Sequence, residues 1–384
     1  MYERHTPKRA LASFQTLCNS AWPAQTLVPA LLDALHALIP SARNLFDWTD
    51  DEGQLLHYFI EGPVDAAVAS LYFEHFHNRR ESEGMPAFAS LRHAPAGVRG
   101  ASALNNVGFF RSALYNEIWR PQGLHTRIEG VVRSRNGRLM GSLVLYRGPG
   151  EPVFDAADER MLASLLPRIA AALERCPAAA AAALAPAQLH VASREPAETL
   201  LMDGQGQVLY ASPGASRMLM LADDGLTPLA MSRSLPDLVQ RLFGRLLVQL
   251  RERLAAGTSG RHQAWPSLTR INAYGRFDAQ ATPLRPAGGA LGSQAELLQL
   301  TVRRLEPRAV AVQRVLRELP ISAGQASICA ALVAGQAQTQ IARDLGVAAS
   351  TVVDHTRKLY RALDVCGAAE LRELVDRRLA GVVH

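Results

Sequence analysis

The chain has 384 residues, 48% of them hydrophobic, and its 41 Lys and Arg against 35 Asp and Glu give a formal charge of +6. This length predicts two or three domains, and the apolar content excludes a chain that is disordered throughout. No apolar stretch of about eighteen residues occurs, and the N-terminus lacks the apolar block of a secretory signal, so we expect a cytoplasmic protein that does not contact a membrane.

Cysteine and lysine usage excludes several kinds of site. The four cysteines are far apart and form no CxxC pair, which argues against a disulfide framework or a zinc ribbon. Only two lysines occur, Lys8 and Lys358, and neither follows the glycines of a phosphate-binding GxxxxGK loop. Neither lysine is placed to serve a phospho-receiver domain. We therefore expect neither a P-loop nucleotide site nor a receiver.

The first 176 residues alternate between helical and strand patterns. Apolar spacing predicts a helix over Leu27–Leu38, and Asp155 is a good N-cap for a second, longer helix. Alternating patterns predict four strands, Asn44–Thr49, Gln54–Ile60, Arg127–Ser134 and Leu139–Tyr146. Together with the segment YNEIWRPQG (Tyr115–Gly123), this order resembles a GAF-type sensor domain, which we expect over residues 1–176.

The composition changes at Pro177–Ala187, PAAAAAALAPA, which predicts a linker; the alternative is an extension of the preceding helix. Beyond it four more strands are predicted, the first two joined by an Asp-Gly turn: Thr199–Met202, Gln207–Ala211, Gly275–Ala281 and Leu297–Leu305. This order resembles a PAS domain over residues 188–306, although Ser212 stands where that family usually has asparagine.

Residues 307–320 are predicted to form a connecting helix, because Val312, Val315, Leu316 and Leu319 repeat at helical spacing. This helix either packs against the preceding sheet or pairs two protomers and carries a signal between them. The two alternatives differ in whether its apolar face is buried within one chain.

The clearest pattern begins at Ile321. Apolar positions predict four short helices over residues 321–384, with a glycine-containing turn between the second and the third. The run G-x-x-x-x-x-I-A-x-x-L-x-V-x-x-x-T-V-x-x-H-x-x-x-L-x-x-x-L, from Gly335 to Leu363, resembles the LuxR-type helix-turn-helix. The expected fold class is therefore α+β, in which two sheet-containing sensor domains, GAF-like and PAS-like, precede an all-α four-helix LuxR-type helix-turn-helix domain.

The sequence departs from this family at the helix starts. Ala337 and Ala348 stand where Ser or Thr usually caps helices two and three. Each missing cap costs about 1 kcal/mol unless Thr339 or Ser350 caps instead. Acidic positions of the family are occupied here by uncharged residues, Gln325, Ser327 and Gln340. These changes concern the helix starts and their phosphate contacts rather than the fold.

The third helix leaves polar residues off its apolar stripe, and the family resemblance implies that this is a recognition helix. By that resemblance three residues face bases, Val353, Asp354 and Arg357, and three lie towards the DNA backbone, Thr351, Lys358 and Arg361. Arginine can donate two hydrogen bonds to a guanine edge, and both kinds of cation neutralise phosphates. The alternative is an ordinary solvated charged face. The resemblance also implies that His355 packs between helices rather than acting in catalysis.

The sequence therefore predicts a DNA-binding transcription regulator that acts as a homodimer and is not an enzyme. The expected dimer contact is the fourth helix, through Leu371, Leu374 and Val375, assisted by residues 312–319. RNA polymerase and a small-molecule signal are further candidate partners, and the sequence identifies no cofactor. The alternative is a protein-binding regulator whose degenerate helix-turn-helix does not bind DNA.

Two further patterns lie in the first region. Four residues could in principle ligate a metal, Glu74, His75, His77 and His93. Their spacing lacks the HExxH pattern, so we expect surface histidines and no metal site. Five aromatic residues form either a core or the lining of a pocket, Phe46, Trp48, Tyr58, Tyr115 and Trp119. The sequence does not assign ligand-binding residues.

Overall fold

A computed structural model describes residues 7–177, 190–231, 233–256, 264–285 and 297–381. Across these ranges, two antiparallel sheets are followed by a helical C-terminal region. Apart from Pro177, the predicted linker lies outside the described residues. Every helix in the described part of the chain is too short or too polar to cross a bilayer.

The N-terminal region contains these helices and strands: α1 (Pro7–Cys18), α2 (Ala24–Leu35), β1 (Arg43–Thr49), β2 (Leu55–Ile60), α3 (Ala66–Leu71), β3 (Gly97–Arg99), α4 (Ala101–Leu104), α5 (Val107–Arg111), β4 (Thr126–Arg133), β5 (Leu139–Arg147) and α6 (Ala156–Glu174). Its strands form an antiparallel sheet in the order β2-β1-β5-β4-β3. The four predicted strands are confirmed to within one residue at each end, and the predicted first helix begins at Ala24 rather than Leu27.

Strand β5 is buried at all nine of its positions, so both faces of this sheet are covered. Helix α6 packs on one face, where a Cβ added to Gly130 would lie 2.5 Å from Leu166 Cδ2. The close approach of helix to sheet therefore depends on glycine at this position. Asp155 caps α6 as predicted, because its carboxylate accepts hydrogen bonds from the amides of Ala157, at 2.7 Å, and Asp158, at 3.0 Å.

Most of residues 64–124 cover the opposite face, with α3, α5 and several short, irregular helical turns, whereas β3 is the edge strand of the sheet and α4 is hydrogen-bonded to α6 through the Ala101 amide and Glu159. The fully buried carboxylate of Glu81 holds this cover segment together, and it accepts a hydrogen bond from the Tyr72 hydroxyl. It also accepts hydrogen bonds from the backbone amides of Asn78, at 3.1 Å, and Phe88, at 2.7 Å. The Glu81 carboxylate thus satisfies backbone amides that a continuous helix would have bonded to its own carbonyl groups.

The second sheet belongs to the following elements: β6 (His190–Ala192), β7 (Glu198–Asp203), β8 (Val208–Ala211), α7 (Ala215–Ala222), α8 (Pro228–Met231), α9 (Leu235–Ala255), β9 (Ser267–Asn272), β10 (Gly275–Leu284) and β11 (Leu297–Pro307). Its strand order is β8-β7-β11-β10-β9, and β6 also pairs with β11. The predicted strands are confirmed, whereas α9 and β9 were not predicted. Helix α9 is capped by Ser234 and packs against β10 and β9.

Buried apolar residues of both sheets form one continuous cluster. At the junction, the Tyr58 amide donates to the Leu226 carbonyl at 2.9 Å. Nearby, the carboxylate of Glu195 accepts hydrogen bonds from Arg217, at 2.7 Å, and Arg304, at 2.8 Å. Because Arg217 also donates to a carbonyl of strand β2 at 3.0 Å, this carboxylate links the second sheet to the first.

The C-terminal region consists of α10 (Arg308–Glu318), α11 (Ala323–Val333), α12 (Gln338–Leu345), α13 (Ala349–Leu363) and α14 (Ala368–Ala380). A separate apolar cluster fills its interior. The apolar face of the connecting helix, α10, packs against α11 and α14 of its own chain, and α10 also contacts β11 and β6 of the second sheet, as the first alternative predicted.

Helix α10 also contacts the N-terminal helices. The Arg317 guanidinium pairs with the Asp33 carboxylate of α2, and Arg9 of α1 donates to the Arg317 carbonyl at 3.0 Å. Burial alone would raise the pKa of Asp33, but the guanidinium groups of Arg317 and Arg314 outweigh this effect and hold that pKa below its usual value. The helical region is therefore tied to α2 by an ion pair.

The Glu195 pair makes stability depend on pH. Burial alone would raise the pKa of Glu195, but the charges of Arg304 and Arg217 have the larger effect and lower this pKa from 4.5 to about 2. Its stabilising contribution is therefore complete above pH 4.5 and is lost as the pH falls from 4.5 towards 2. We expect Glu195→Gln to lower the free energy of unfolding by about 1–3 kcal/mol at pH 7, measured by denaturant titration.

The difference between wild type and Glu195→Gln should shrink below pH 4.5. Glu52→Gln is the matched control, since Glu52 pairs with Arg92 at 2.6 Å but its side chain is 62% exposed. We expect that control to change stability by less than about 1 kcal/mol. A constant difference between wild type and Glu195→Gln from pH 7 to pH 2.5 would contradict the role assigned to the pair.

Candidate functional site

Helices α12 and α13 are joined by a three-residue turn, residues 346–348. Gly346 ends α12 with a φ of +64°, in the left-handed region that favours glycine. The Val347 amide then donates to the Ala342 carbonyl at 3.0 Å, which closes the turn. The local sequence thus fixes the angle between two short helices through a glycine cap.

The inward side of α13 is formed by Val352, Thr356 and Leu359, which are at most 3% exposed. The Thr356 hydroxyl donates to the Val352 carbonyl at 2.8 Å, so this polar residue is accommodated inside the bundle. Its burial was not predicted. Burying these three residues turns the rest of the helix outward.

Five of the six predicted DNA-facing residues are exposed, Thr351, Asp354, Arg357, Lys358 and Arg361, and Val353 is half-buried. The structure brings two of them together, since Lys358 Nζ lies 2.7 Å from Asp354 Oδ2. The hydrogen bond from Lys358 is the main reason that the pKa of Asp354 lies below its usual value. The four-residue spacing on a helix could have predicted the pair. Among the described residues, Arg357 and Arg361 have no ion-pair partner.

Both helix starts lack a side-chain cap. Ala337 precedes α12 and Ala348 precedes α13, and neither Thr339 nor Ser350 supplies the missing hydrogen bond. Helix α11 differs, because the Ser322 hydroxyl accepts a hydrogen bond from the Gln325 amide at 3.3 Å. Gln325 stands where the LuxR-type pattern has an acidic residue. The Gln325 side chain accepts from the Ser322 amide at 2.7 Å in return. That departure from the family pattern therefore forms a capping box.

Two expectations about apolar residues require correction. Of the predicted dimer contact, Leu371 and Val375 are buried inside the bundle, as are Val312, Val315, Leu316 and Leu319 of α10 and the residue after it, so in this conformation they are not available to a second chain, whereas Leu374 is half-buried. Leu345, expected on the inner face of α12, is 44% exposed, and Val347 of the turn is 41% exposed. Both side chains are therefore partly open to solvent.

A second site lies in the N-terminal region, where a cavity of about 140 Å³ separates the first sheet from the cover segment, residues 64–124. Of the five aromatic residues singled out in the sequence, Tyr58 and Trp119 line this cavity. Phe46 and Trp48 belong to the core on the other side of the sheet, and Tyr115 belongs to the cluster around Phe109 and Phe110.

The histidines do not assemble into a metal site. In the described part of the chain no group of three or more potential ligands comes together. His75 and Glu74 lie 3.9 Å apart on the surface, and His77 contacts the buried Glu81 at the same distance. His355 is half-buried beside Gly324 of α11, in agreement with a packing role.

No protein-family model and no curated protein match the chain. Among solved structures, it is similar to VqmA bound to DPO, with 18% identity over 48% of this chain and 82% of that one and a TM-score of 0.20. A structure of the Vibrio cholerae VqmA dimer without target DNA, a LuxR-type receptor, has 16% identity over 48% and 83%, with a TM-score of 0.20. The Escherichia coli DhaR(N)–DhaL complex has 15% identity over 77% and 88%, with a TM-score of 0.25. Similarities at these identities and TM-scores are too low to assign a function.

Proposed function

We propose that the chain is a DNA-binding transcription regulator in which α12, the turn and α13 form a LuxR-type helix-turn-helix. The observation that supports this most directly is the outward side of α13, where Arg357 and Arg361 are exposed and have no ion-pair partner among the described residues. A recognition helix needs such free donors, because guanidinium groups must reach base edges and phosphates in the major groove.

In this proposal residues 1–176 and 188–306 are GAF-like and PAS-like sensor domains separated by the linker 177–187. Residues 307–320 connect them to the DNA-binding domain, residues 321–384. The ion pair between Asp33 and the α10 arginines supports a route for regulation, since it joins the first region to the helix that packs on the DNA-binding bundle.

The charge on the proposed surface favours specific over nonspecific binding. Helices α12 and α13 carry Arg343, Arg357, Lys358 and Arg361, against Asp344 and Asp354. Lys358 is paired with Asp354, and the Gln340 side chain donates to Asp344 at 2.6 Å. Few unpaired cations remain to release counterions, so we expect a shallow dependence of nonspecific affinity on salt.

A second candidate function is a regulator that binds protein rather than DNA through the same helices. The exposed side chains of Leu345 and Val347 favour it, because exposed apolar side chains on neighbouring residues can pack against a protein partner. The uncapped starts of α12 and α13 also favour the protein-binding function. Selection of bound sequences from random DNA distinguishes the two functions, since only the first enriches a motif.

Arg357→Ala should weaken binding to the selected site by about tenfold to a hundredfold and relax the preference at one base pair, because a bidentate guanine contact supplies about 1–3 kcal/mol of discrimination. Lys358→Ala should instead weaken all sequences alike and lower the salt dependence by about one unit. Binding isotherms on selected and scrambled DNA at several salt concentrations measure both effects.

The control for both substitutions is Arg378→Ala, which removes an exposed arginine from α14 and should change neither affinity nor specificity. Asp354→Asn separates the two parts of the Lys358 pair, because the freed ammonium should strengthen binding to scrambled DNA, while a change confined to the selected site would report the expected base contact of Asp354. Equal losses on both DNAs for Arg357→Ala would show a phosphate contact and contradict the proposed orientation of α13.

The regulator should bind as a homodimer, because a single short recognition helix reads few base pairs and two-fold pairing doubles the site. Sedimentation of the full chain with the selected DNA should give two chains per duplex, and the selected motif should be palindromic. Leu371 and Val375 are buried and stabilise the bundle, so substitutions of exposed residues on α14 should leave the chain folded. One chain per duplex with a motif lacking two-fold symmetry would refute the dimer.

A further inference from the structure

The cavity beneath the cover segment has an unusual charge distribution. Its walls are mainly apolar and include six aromatic side chains, Tyr58, Tyr72, Phe73, Phe88, Trp119 and Tyr146. Four further lining residues are ionisable, Asp47, Arg99, Arg127 and Glu129. Which of these four are already paired decides the kind of molecule that the cavity can hold.

Arg127 is a buried cation without a counter-ion. It is 4% exposed, and no carboxylate of the described residues lies within 4 Å of its guanidinium. The guanidinium makes no hydrogen bond with the described residues, and its Nε is fully enclosed without an acceptor. It lies over the Trp119 ring at 4.4 Å and the Phe109 ring at 5.4 Å. Burial lowers the pKa of Arg127, as expected of a charge removed from water without full compensation.

Neither carboxyl group of the lining lies within 4 Å of this guanidinium, although the charge of Glu129 partly offsets the effect of burial on the pKa of Arg127. Glu129 is already paired with Arg99, 3.3 Å away. Asp47 accepts a hydrogen bond from Ser142 at 3.1 Å, and burial, followed by the nearby Glu129, raises the pKa of Asp47 well above its usual value. The Arg127 guanidinium is therefore left without a carboxylate of the lining in direct contact.

The phenols of Tyr58 and Tyr146 add neutral donors. Burial raises the pKa of both groups, and neither hydroxyl has a hydrogen-bond partner among the described residues. Strand register sets Tyr146 directly opposite Arg127, since the two are paired residues of β5 and β4. A hydroxyl donor and an unpaired guanidinium thus come from adjacent positions of neighbouring strands, and both residues line the cavity.

We propose that this cavity binds a small aromatic monocarboxylate, whose carboxylate pairs with the Arg127 guanidinium and whose ring packs among the aromatic side chains. A carboxylate accepts two hydrogen bonds from a guanidinium in parallel and would supply the missing counter-ion. A cavity of about 140 Å³ has room for a single substituted ring. The proposal names the chemical class of the signal in the sensor region, and it does not depend on whether α13 binds DNA.

Isothermal titration of the full chain with three probes of one shape and different charge tests the class. Benzoate should bind, whereas benzamide and benzylamine should bind at least about tenfold more weakly, because neither offers a negative charge to Arg127. Phenylacetate and 4-hydroxybenzoate extend the aromatic acids, and hexanoate tests whether the ring is required. The proposal is overturned if none of the aromatic acids binds at millimolar concentration, if benzamide or benzylamine binds as tightly as benzoate, or if hexanoate binds more tightly.

Substitutions on strand β4 provide matched controls. Arg127→Met keeps the aliphatic volume but removes the charge, so it should weaken benzoate by about tenfold to a hundredfold without lowering the melting temperature of the free protein. Arg133→Met alters an arginine of the same strand that donates to the carbonyls of Ala94, at 2.8 Å, and Leu91, at 3.0 Å, and does not line the cavity. It should lower the melting temperature and leave benzoate affinity unchanged.

The two variants separate a ligand site from a structural arginine. If Arg127→Met lowers the melting temperature and leaves benzoate affinity unchanged, Arg127 is structural and the proposal fails. If Arg127→Met does not fold, the three-probe titration of the wild type still decides, since it needs no substitution. No DNA is present in these titrations, so their failure leaves the DNA-binding proposal intact, and a failure to select DNA leaves this one intact.

Discussion

Strand β5 is buried along its whole length, and this burial determines what surrounds the first sheet. A strand that is covered on both faces needs two layers, and the sequence supplies two very different ones. Helix α6 provides a regular layer that approaches the sheet at Gly130. The irregular segment 64–124 provides the other, held by the buried Glu81 carboxylate, and because it does not follow the contour of the sheet it leaves a cavity. The charged residues of that face become enclosed together with the apolar ones.

Much of the fold could be predicted because hydrophobic periodicity reports local structure directly. The eight predicted strands were confirmed, most of them close to their predicted ends, and Asp155 caps α6, whereas β3, β6 and β9 were not predicted. The cover segment could not be predicted, since its turns follow neither a helical nor a strand period and depend on a buried acid. Helix α9 was missed, although its buried face has helical spacing and Ser234 and Pro236 mark its start.

The candidate sites show the same division. The burial of Val352 and Leu359 could be predicted from their spacing. The exposure of the arginines on the opposite side of the helix follows from that burial. The surface against which the apolar face of α14 packs could not be predicted, because an apolar stripe does not reveal whether its partner is the same chain or another. Arg127 alternates with Ile128 along β4 as a solvent-facing residue would, so its burial could be seen only once the cover segment was in place. Tertiary packing, rather than local propensity, decides these cases.

The two separate apolar clusters have a thermodynamic consequence. Residues of both sheets share one cluster, whereas α10–α14 have their own, and the two parts meet through α1, α2, the Asp33 ion pair and the contacts of α10 with β6 and β11. Cooperative unfolding follows shared burial, so the sheets should lose structure as one unit and the helical region as another. In a calorimetric scan, a molecule held by the sheets would shift one heat-absorption peak and a molecule held by α13 the other. Any shift of both peaks by a single ligand would then measure the free energy transmitted between the sheets and the helical region.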